Sequence, residues 1–229
     1  MLEESAHEVV VWKPAGLAAE LSGEGTEDTV RTIVARRHPG TEPKLPHRLD
    51  RVSRGLLVVA LTPEAIAFHG AQVKARAWDK IYLARVAAPA AGTPATLLGE
   101  HKAFLTESGG RARLVRAGGK PARLEIVAAA PVPGRPDRWH LVIRLLTGRF
   151  HQIRVMCAAL DVPLAGDPLY DPRRRDPADF YLEHIILRYV AFDGGRRTVF
   201  RRDLDERGPL APGITAALDA LSGPEAGLG

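Results

Sequence analysis

The chain has 229 residues, a hydrophobic content of 45% and a formal net charge of +5, with an isoelectric point near 9.6. This length and apolar content predict a soluble protein of one α/β or α+β domain, or of two small ones. The longest apolar run, residues 56–61, is far too short to span a membrane, and the acidic first residues exclude an ordinary secretory signal peptide. We therefore expect a cytoplasmic protein.

The composition favours some partners and cofactors over others. The positive charge suits an anionic partner such as RNA, because basic residues supply a salt-dependent part of the affinity for phosphates. This indication is weak by itself, since the chain is rich in Arg, Ala, Gly and Pro, as a GC-rich coding sequence would make any protein. The single cysteine, Cys157, excludes an internal disulfide and the usual thiolate zinc sites, and we expect it to be a small core residue.

The N-terminal part of the chain alternates between predicted strands and helices. A helix is expected over residues 28–37 with Thr26 or Asp28 as N-cap, and a second helix begins at Pro63 with Thr62 as its N-cap. Runs of β-branched or apolar residues predict strands at 8–13, 55–61 and 80–87. The middle run is apolar throughout, which is typical of a strand covered on both faces.

The rest of the chain is richer in predicted strands. Glycine pairs at 109–110 and 118–119 separate three short strands and indicate an antiparallel meander, with its strands at 101–106, 111–116 and 122–129. Further strands are expected at 139–146, 185–192 and 197–200, and helices at 150–160 and 212–221. Residues 223–229 are expected to be a flexible tail, and since no interdomain linker is found, residues 1–222 form a single domain.

The segment at residues 46–60, PHRLDRVSRGLLVVA, places one carboxylate among three arginines just before an apolar strand. Asp50, next to Arg48 and Arg51, is expected to stay ionised because nearby positive charge favours the charged form. An ionised carboxylate in a cleft can act as a nucleophile. A solvated aspartate in a surface ion pair would have the same neighbours. This segment alone therefore leaves both interpretations open.

Other segments carry motifs that occur in a recognisable order with this one. They read KPAG at 13–16, KIYLA at 80–84, and TGRFHQIRV at 147–155 followed by PLAGDPLY at 163–170. In this order the chain resembles the pseudouridine synthase superfamily in its RluA-type branch, whose motifs read HRLDxxTSGLL, KxYxA, and RxHQIR leading to GDxxY. The resemblance covers about residues 8–171 and is weaker in the closing strands.

The resemblance implies an architecture and an activity. We predict an α+β fold: a single domain with a mixed, mainly antiparallel β-sheet flanked by helices and a central RNA-binding cleft. The implied activity is the isomerisation of uridine to pseudouridine in structured RNA, either tRNA or rRNA, without a cofactor or metal. Because the chain starts almost directly on the first catalytic-domain strand, we expect no N-terminal RNA-binding domain. We also expect a monomer.

The resemblance also implies roles for individual residues. Asp50 is the nucleophile, attacking either the anomeric carbon of the ribose or the base, and Arg154 pairs with it through a bidentate fork. Tyr82 stacks on the target base, and its phenol takes part in removing the carbon-bound proton. Arg48 lies beside the flipped nucleotide. The remaining expected substrate or RNA contacts are His47, Lys80, Arg149, His151 and Gln152.

Four positions depart from the family pattern. Ser53 and Arg54 stand where the family has Thr-Ser, which would add a long cation near the nucleophile. Phe150 replaces the usual Thr or Pro, and Met156 stands where a histidine is common. We therefore expect an unusual rim around the pocket, and expect substrate choice to depend on Arg54.

Two other function classes remain open at this point. One is an RNA-binding protein that has kept the fold and lost catalysis. The other is a metal-dependent phosphodiesterase with ligands drawn from His47, Asp50, His151 and Asp167, although no short ligand spacing supports it. The three arginines at 173–175 can likewise lie against phosphate or form a solvated surface.

Overall fold

Ten β-strands form one sheet in the computed structural model, which describes residues 1–20, 28–89, 97–172, 176–201 and 207–223. The strands are β1 (Glu3–Glu4), β2 (Glu8–Lys13), β3 (Arg54–Ala60), β4 (Asp79–Ala87), β5 (Gly99–Ser108), β6 (Arg111–Val115), β7 (Lys120–Val132), β8 (Arg135–Leu145), β9 (Leu182–Val190) and β10 (Arg196–Phe200). The α-helices in these ranges are α1 (Val30–Arg37), α2 (Pro63–Ala75), α3 (Gln152–Ala159) and α4 (Pro212–Ser222). None of them is long and apolar enough to cross a membrane.

The sheet order is β1-β2-β3-β9-β4-β8-β7-β5-β6, with β10 pairing beside β3 on β9. All neighbours are antiparallel except β3 and β9, which run parallel. This mixed, mainly antiparallel sheet with packed helices confirms the predicted α+β class.

Alternate residues of the central strand β4 belong to two different hydrophobic cores. Tyr82 and Val86 join a core that contains residues of α1 and α3, which we call the α3 core. Ile81 and Leu83 join a core closed by Ile214 and other residues of α4, which we call the α4 core. Since successive strand residues point to opposite faces, the two cores lie on the two sides of the sheet.

Glycine at position 55 permits the parallel contact between β3 and β9. Gly55 has φ +119°, and a Cβ atom built on it would lie 2.4 Å from the backbone oxygen of His184. The imidazole Nδ1 of His184 in turn lies 2.7 Å from the carbonyl oxygen of Leu56. This close approach fixes the start of β3, and with it the turn that carries Asp50.

The helix starts follow capping chemistry, with one correction. Thr62 is confirmed as the N-cap of α2 and accepts from the backbone N of Ala65. Helix α1 is capped by Thr29, not by the predicted Asp28, because Thr29 and Thr32 form a reciprocal capping box. The alternative cap, Thr26, lies outside the described residues.

The predicted meander is wrong in its order, although its strands exist and are antiparallel. Strand β7 pairs with β5 and not with β6, so β5 lies between them. The chain crosses over β5 at Gly119, where a Cβ atom would lie 2.9 Å from the backbone of Leu105. The second glycine pair is therefore a crossover and not a hairpin turn.

Other differences concern the lengths of elements. Strand β9 begins three residues before the predicted start at 185, and β7 and β8 are longer than predicted because they pair with each other along most of their length. The two-residue strand β1 has no sequence signal of its own. Of the expected tail only Gly223 is described, and residues 173–175 also lie outside the described part of the chain.

Candidate active site

A cleft of about 870 Å³ opens where the turn after residue 49, strand β4 and the start of α3 meet. Its walls include the residues that the sequence analysis named as catalytic or as substrate or RNA contacts. These are His47, Arg48, Asp50, Lys80, Tyr82, Arg149, His151, Gln152 and Arg154. Segments that are distant in the sequence are therefore brought together around one opening.

Asp50 lies at the first position of a tight turn on the floor of the cleft. The backbone N of Ser53 donates to the carbonyl of Asp50 at 3.0 Å, and the N of Gly16 donates to the carbonyl of Arg51 at 2.8 Å. The Asp50 side chain is 23% exposed. Its backbone is thus fixed from two sides while its carboxylate stays accessible.

Arg154 contacts Asp50, but the predicted bidentate fork goes to another carboxylate. Nη1 of Arg154 donates to Oδ2 of Asp50 at 3.1 Å. Its Nε and Nη2 form the fork with Asp167, each at 2.8 Å. The correction has a geometric reason, since Asp167 is fully buried beside α3 and faces the guanidinium edge-on.

Asp167 was not among the predicted site residues, although it stands in the quoted GDPLY motif. One of its oxygens also accepts from the backbone N of Leu169 and of Tyr170. Burial alone would lower the pKa of Arg154, but the hydrogen bonds and charge of Asp167, helped by Asp50, raise the pKa above its ordinary value. Arg154 therefore stays charged, and its pairing with Asp167 fixes the guanidinium that donates to Asp50.

His151 connects Asp50 to the opposite wall. It precedes α3 in a left-handed conformation with φ 50°. Its Nδ1 lies 3.0 Å from the hydroxyl of Tyr170, and its Nε2 lies 3.7 Å from Oδ2 of Asp50. Burial lowers the pKa of His151, with Asp50 opposing and Arg154 reinforcing the effect. The imidazole is consequently neutral at pH 7 and offers one donor and one acceptor.

Tyr82 lines the cleft from β4 and is almost completely buried. Its ring stacks on the imidazole of His184, with centroids 4.7 Å apart and planes 14° from parallel. Burial, and then the charge of Asp50, raises the pKa of the phenol above its ordinary value. Tyr82 is therefore a neutral aromatic surface held in a fixed orientation.

His47 and Gln152 line the cleft but use their polar atoms to hold the walls. Nε2 of His47 accepts from the backbone N of Val58, and burial lowers the pKa of this imidazole well below its ordinary value. The Gln152 amide accepts from Thr147 and from the N of Arg149, and it donates to the carbonyl of Arg123. These contacts make both residues positioning residues of the walls, and direct contact with RNA stays a prediction for them.

Four predicted cations occupy different places. Arg48 is exposed at the rim and makes no hydrogen bond or ion pair within the described residues. The ammonium of Lys80 lies near Gly148, where a Cβ atom would be 3.5 Å from it, and burial lowers its pKa. Arg149 donates from Nε to the carbonyl of Pro121. Arg54, expected near the nucleophile, instead lies over the ring of Tyr181 at 4.7 Å and does not line the cleft.

Lys13 is a residue of this region that the sequence analysis did not select. Its fully buried ammonium donates to the carbonyls of Pro14, Leu17 and Arg51 at 2.9, 2.7 and 3.2 Å. Burial lowers its pKa to about 8, against the opposing charge of Asp50. Lys13 thereby ties the first loop of the chain to the turn of Asp50, and the only sequence signal for it was the KPAG motif.

The metal-site interpretation does not fit the arrangement of charges. Asp50 and Asp167 are close together, but the guanidinium of Arg154 already lies between them and pairs with both. In the ranges that the structure describes, no group of three or more His, Cys, Asp or Glu side chains could hold a metal ion.

The sequence of this chain is similar to those of known proteins. A family profile described as RNA pseudouridylate synthase matches residues 7–159, more than half of the chain. A dual-specificity RNA pseudouridine synthase, RluA of Escherichia coli, is 33% identical over 192 residues, which cover 82% of this chain and 84% of that protein.

Two further relatives are longer than this chain. An uncharacterized RNA pseudouridine synthase of Chloroflexus aurantiacus is 35% identical over 182 residues, and the ribosomal large subunit pseudouridine synthase D of Pseudomonas aeruginosa is 32% identical over 188 residues. The matches cover 71% and 76% of this chain but only 51% and 54% of those proteins. The chain thus spans about half their length.

The fold is shared with a solved structure of low sequence identity. The human RNA pseudouridylate synthase domain containing 1 protein superposes with a TM-score of 0.75 at 24% identity, over 96% of this chain and 93% of that one. The profile match, the identities above 30% and the ordered motifs agree. The chain belongs to the RNA pseudouridylate synthase family, in its RluA-type branch.

Proposed function

We propose that this protein isomerises uridine to pseudouridine in structured RNA, with Asp50 as the nucleophile. The observation that carries the proposal is the placement of Asp50 next to Arg154. These two residues are 104 positions apart in the sequence, yet they meet on the floor of one cleft. Membership of the family supports the reaction class, and the geometry supports the choice of Asp50.

The two carboxylate oxygens of Asp50 have different surroundings. Arg154 and His151 both face Oδ2, at 3.1 and 3.7 Å. Oδ1 has no hydrogen-bond partner among the described residues. A carboxylate that is oriented through one oxygen and accessible through the other is suited to nucleophilic attack. We therefore assign the attack to Oδ1.

The reaction needs bonds to break and form in a balanced sequence. Asp50 attacks either the anomeric carbon of the ribose or the base, and the bond between N1 of uracil and that carbon breaks. The detached uracil turns, its C5 forms the new bond to the ribose, the proton on C5 leaves, and N1 takes up a proton in its place. The Asp50 carboxylate is released unchanged, so the reaction requires no cofactor and no oxidant.

The surrounding residues orient this chemistry. Arg154, fixed by Asp167, holds the carboxylate in one direction and stays charged throughout. Tyr82 offers its neutral ring for stacking on the uracil, since its raised pKa disfavours the phenolate. Its part in removing the C5 proton stays a prediction.

The substrate must reach the cleft from a folded RNA. A uridine inside a helix cannot expose its glycosidic bond to Asp50 without leaving the base stack. Arg48 at the rim, exposed and unpaired within the described residues, is placed to contact the flipped nucleotide or its phosphate. We propose tRNA or rRNA as the substrate and a monomeric, cytoplasmic enzyme.

The test is an assay of pseudouridine formation on total tRNA and total rRNA, with and without a chelator. The wild-type protein should modify one of these RNAs, and Asp50→Asn should lower the rate by at least about a thousandfold. Asp161→Asn is the matched control, because Asp161 is exposed, lies outside the cleft and has φ +60°, which asparagine tolerates.

Other outcomes would favour the alternatives. RNA cleavage that the chelator abolishes would establish the phosphodiesterase and refute the isomerase. Binding of RNA by wild type without any conversion would establish a binding protein that has lost catalysis.

A further inference from the structure

Phe150 is an exposed aromatic residue at the mouth of the cleft. It is 38% exposed although one face of its ring is covered by the imidazole of His151, with centroids 3.8 Å apart and planes 19° from parallel. Part of the Phe150 side chain is therefore packed against the protein, and the rest stays open to a group bound in the cleft. What distinguishes Phe150 from other exposed apolar residues such as Phe104 is that it lines the cleft that contains Asp50.

The loop that carries Phe150 is fixed on both sides. The amide oxygen of Gln152 accepts from the backbone N of Arg149, and Nε of Arg149 donates to the carbonyl of Pro121. On the other side, the hydroxyl of Tyr170 holds the ring of His151, on which Phe150 stacks. The ring of Phe150 is therefore presented in one orientation, which lowers the entropy cost of binding to it.

The distance to Asp50 limits what can lie against this ring. His151 stacks on Phe150 and also places its Nε2 3.7 Å from Oδ2 of Asp50. Only one aromatic ring thus separates Phe150 from the nucleophile. When the target uridine lies at Asp50, a group that reaches Phe150 belongs to a directly neighbouring nucleotide.

The charges around Phe150 indicate the chemistry of that group. Arg149 is its neighbour in the chain, and Lys80 approaches Gly148 in the same loop. Cations beside an exposed aromatic ring are the combination that binds unpaired nucleotides, because the cations contact phosphates while the ring stacks on a base of any identity.

We propose that Phe150 is a stacking platform for the unpaired nucleobase adjacent to the target uridine. This inference rests on the proposed function and deepens it. The site takes a purine or pyrimidine ring, purines more tightly because their stacking area is larger.

The first experiment measures binding without requiring catalysis. The probe is a single-stranded RNA 12-mer that carries 2-aminopurine next to one uridine, whose fluorescence reports stacking. Phe150→Leu should weaken binding about tenfold and remove the stacking signal, whereas Phe150→Trp should retain both. Phe104→Leu is the matched control, since Phe104 is 46% exposed and does not line the cleft.

The second experiment uses whichever RNA the wild-type enzyme modifies. Phe150→Leu should raise KM about tenfold and leave kcat within threefold of wild type, while Phe104→Leu changes neither. Equal unfolding midpoints of the two leucine variants exclude a folding defect. If Phe150→Leu matches wild type in both experiments, the platform is refuted. If wild type modifies no RNA but the 12-mer still requires an aromatic residue at 150, the platform stands and the proposed activity fails.

Discussion

Two buried pairs of guanidinium and carboxylate lie on opposite sides of the sheet and differ in what they reach. On the side of the α3 core, Arg154 binds Asp167 through a fork of two hydrogen bonds. On the side of the α4 core, Arg207 binds Glu183 in the same manner, at 3.1 and 2.9 Å. All four side chains are 5% exposed or less.

The two pairs differ in the other hydrogen bonds of the arginine and in the contact made by the neighbouring tyrosine. Arg154 extends its Nη1 to the accessible Asp50, whereas Arg207 donates to the backbone carbonyl of Arg201. Tyr181 closes the second cluster by donating to Glu183 itself. Both pairs hold their surroundings rigid, and the contact of Arg154 with Asp50 transmits that rigidity to a carboxylate in the cleft. A buried ion pair that stabilises the fold can thus also orient a residue of the candidate site, if its arginine makes one further hydrogen bond to that residue.

Arg154→Lys breaks the first pair and should have the largest effect. A lysine cannot form the fork with Asp167 and reach Asp50 together. We expect pseudouridine formation to fall by at least about a thousandfold, and the free energy of unfolding to fall by about 3 kcal/mol, as for a buried carboxylate deprived of its partner. Initial rates and urea denaturation measure the two effects. Activity within tenfold of wild type would contradict the role of Arg154.

Arg207→Lys breaks the second pair and separates stability from activity. The same loss of about 3 kcal/mol is expected in the free energy of unfolding, because Glu183 is left buried with a poorer partner. The value of kcat should stay within threefold of wild type at a temperature where the variant is folded. A fall in kcat as large as that of Arg154→Lys would show that the two clusters are not distinct in function.

Local patterns were sufficient to predict most elements of this fold. The apolar run of β3 and the Thr62-Pro63 start of α2 each contain their own signal, independent of the rest of the chain. The order of β5, β6 and β7 contains no such signal, since it depends on which edge of β5 the chain returns to after Gly119. A pair of glycines favours a change of chain direction both in a hairpin turn and in a crossover, so the pair alone does not distinguish the two.

The grouping of the candidate site residues in one cleft was predictable, and their contacts with one another were not. Motif order places Asp50, Tyr82 and Arg154 together, but the sharing of the Arg154 donors between two carboxylates depends on packing distances. Arg54 could have been placed correctly from the sequence. Arg54 and Leu56 are two residues apart in β3, so their side chains lie on the same face of the sheet. That face is opposite to the one on which Leu57 joins the α3 core.

His140 makes the α4 side sensitive to acid, and His140→Leu tests this. Burial, and then the charges of Arg85 and Arg207, lower its pKa to about 4, and neither ring nitrogen has a hydrogen-bond partner in the described part of the chain. Between pH 7 and pH 5 the unfolded imidazole gains a proton that the folded one does not, so stability falls as the pH falls.

The expected loss for wild type is about 2 kcal/mol from this group over that pH interval. His140→Leu should lack this part of the loss, while its activity at pH 7 stays near wild type because His140 does not line the cleft. Urea denaturation of both proteins at pH 7 and pH 5 gives the difference. Parallel pH profiles would show that His140 is protonated in the folded protein.

Tyr170→Phe should have the smallest effect on stability and activity. Together with Tyr181→Phe it compares the tyrosines of the two clusters. It removes a hydroxyl that accepts from the N of Ala112 at 2.8 Å and holds His151, but it keeps the ring beside the Arg154 guanidinium. We expect about 1 kcal/mol less stability and a two- to fivefold lower kcat, since His151 orients Asp50 only in support of Arg154. Tyr181→Phe, the counterpart on the other side, should lower stability alone. A hundredfold loss of kcat in Tyr170→Phe would instead make His151 an essential partner of the nucleophile. Asp50 would then depend on two contacts, one with Arg154 and one with His151.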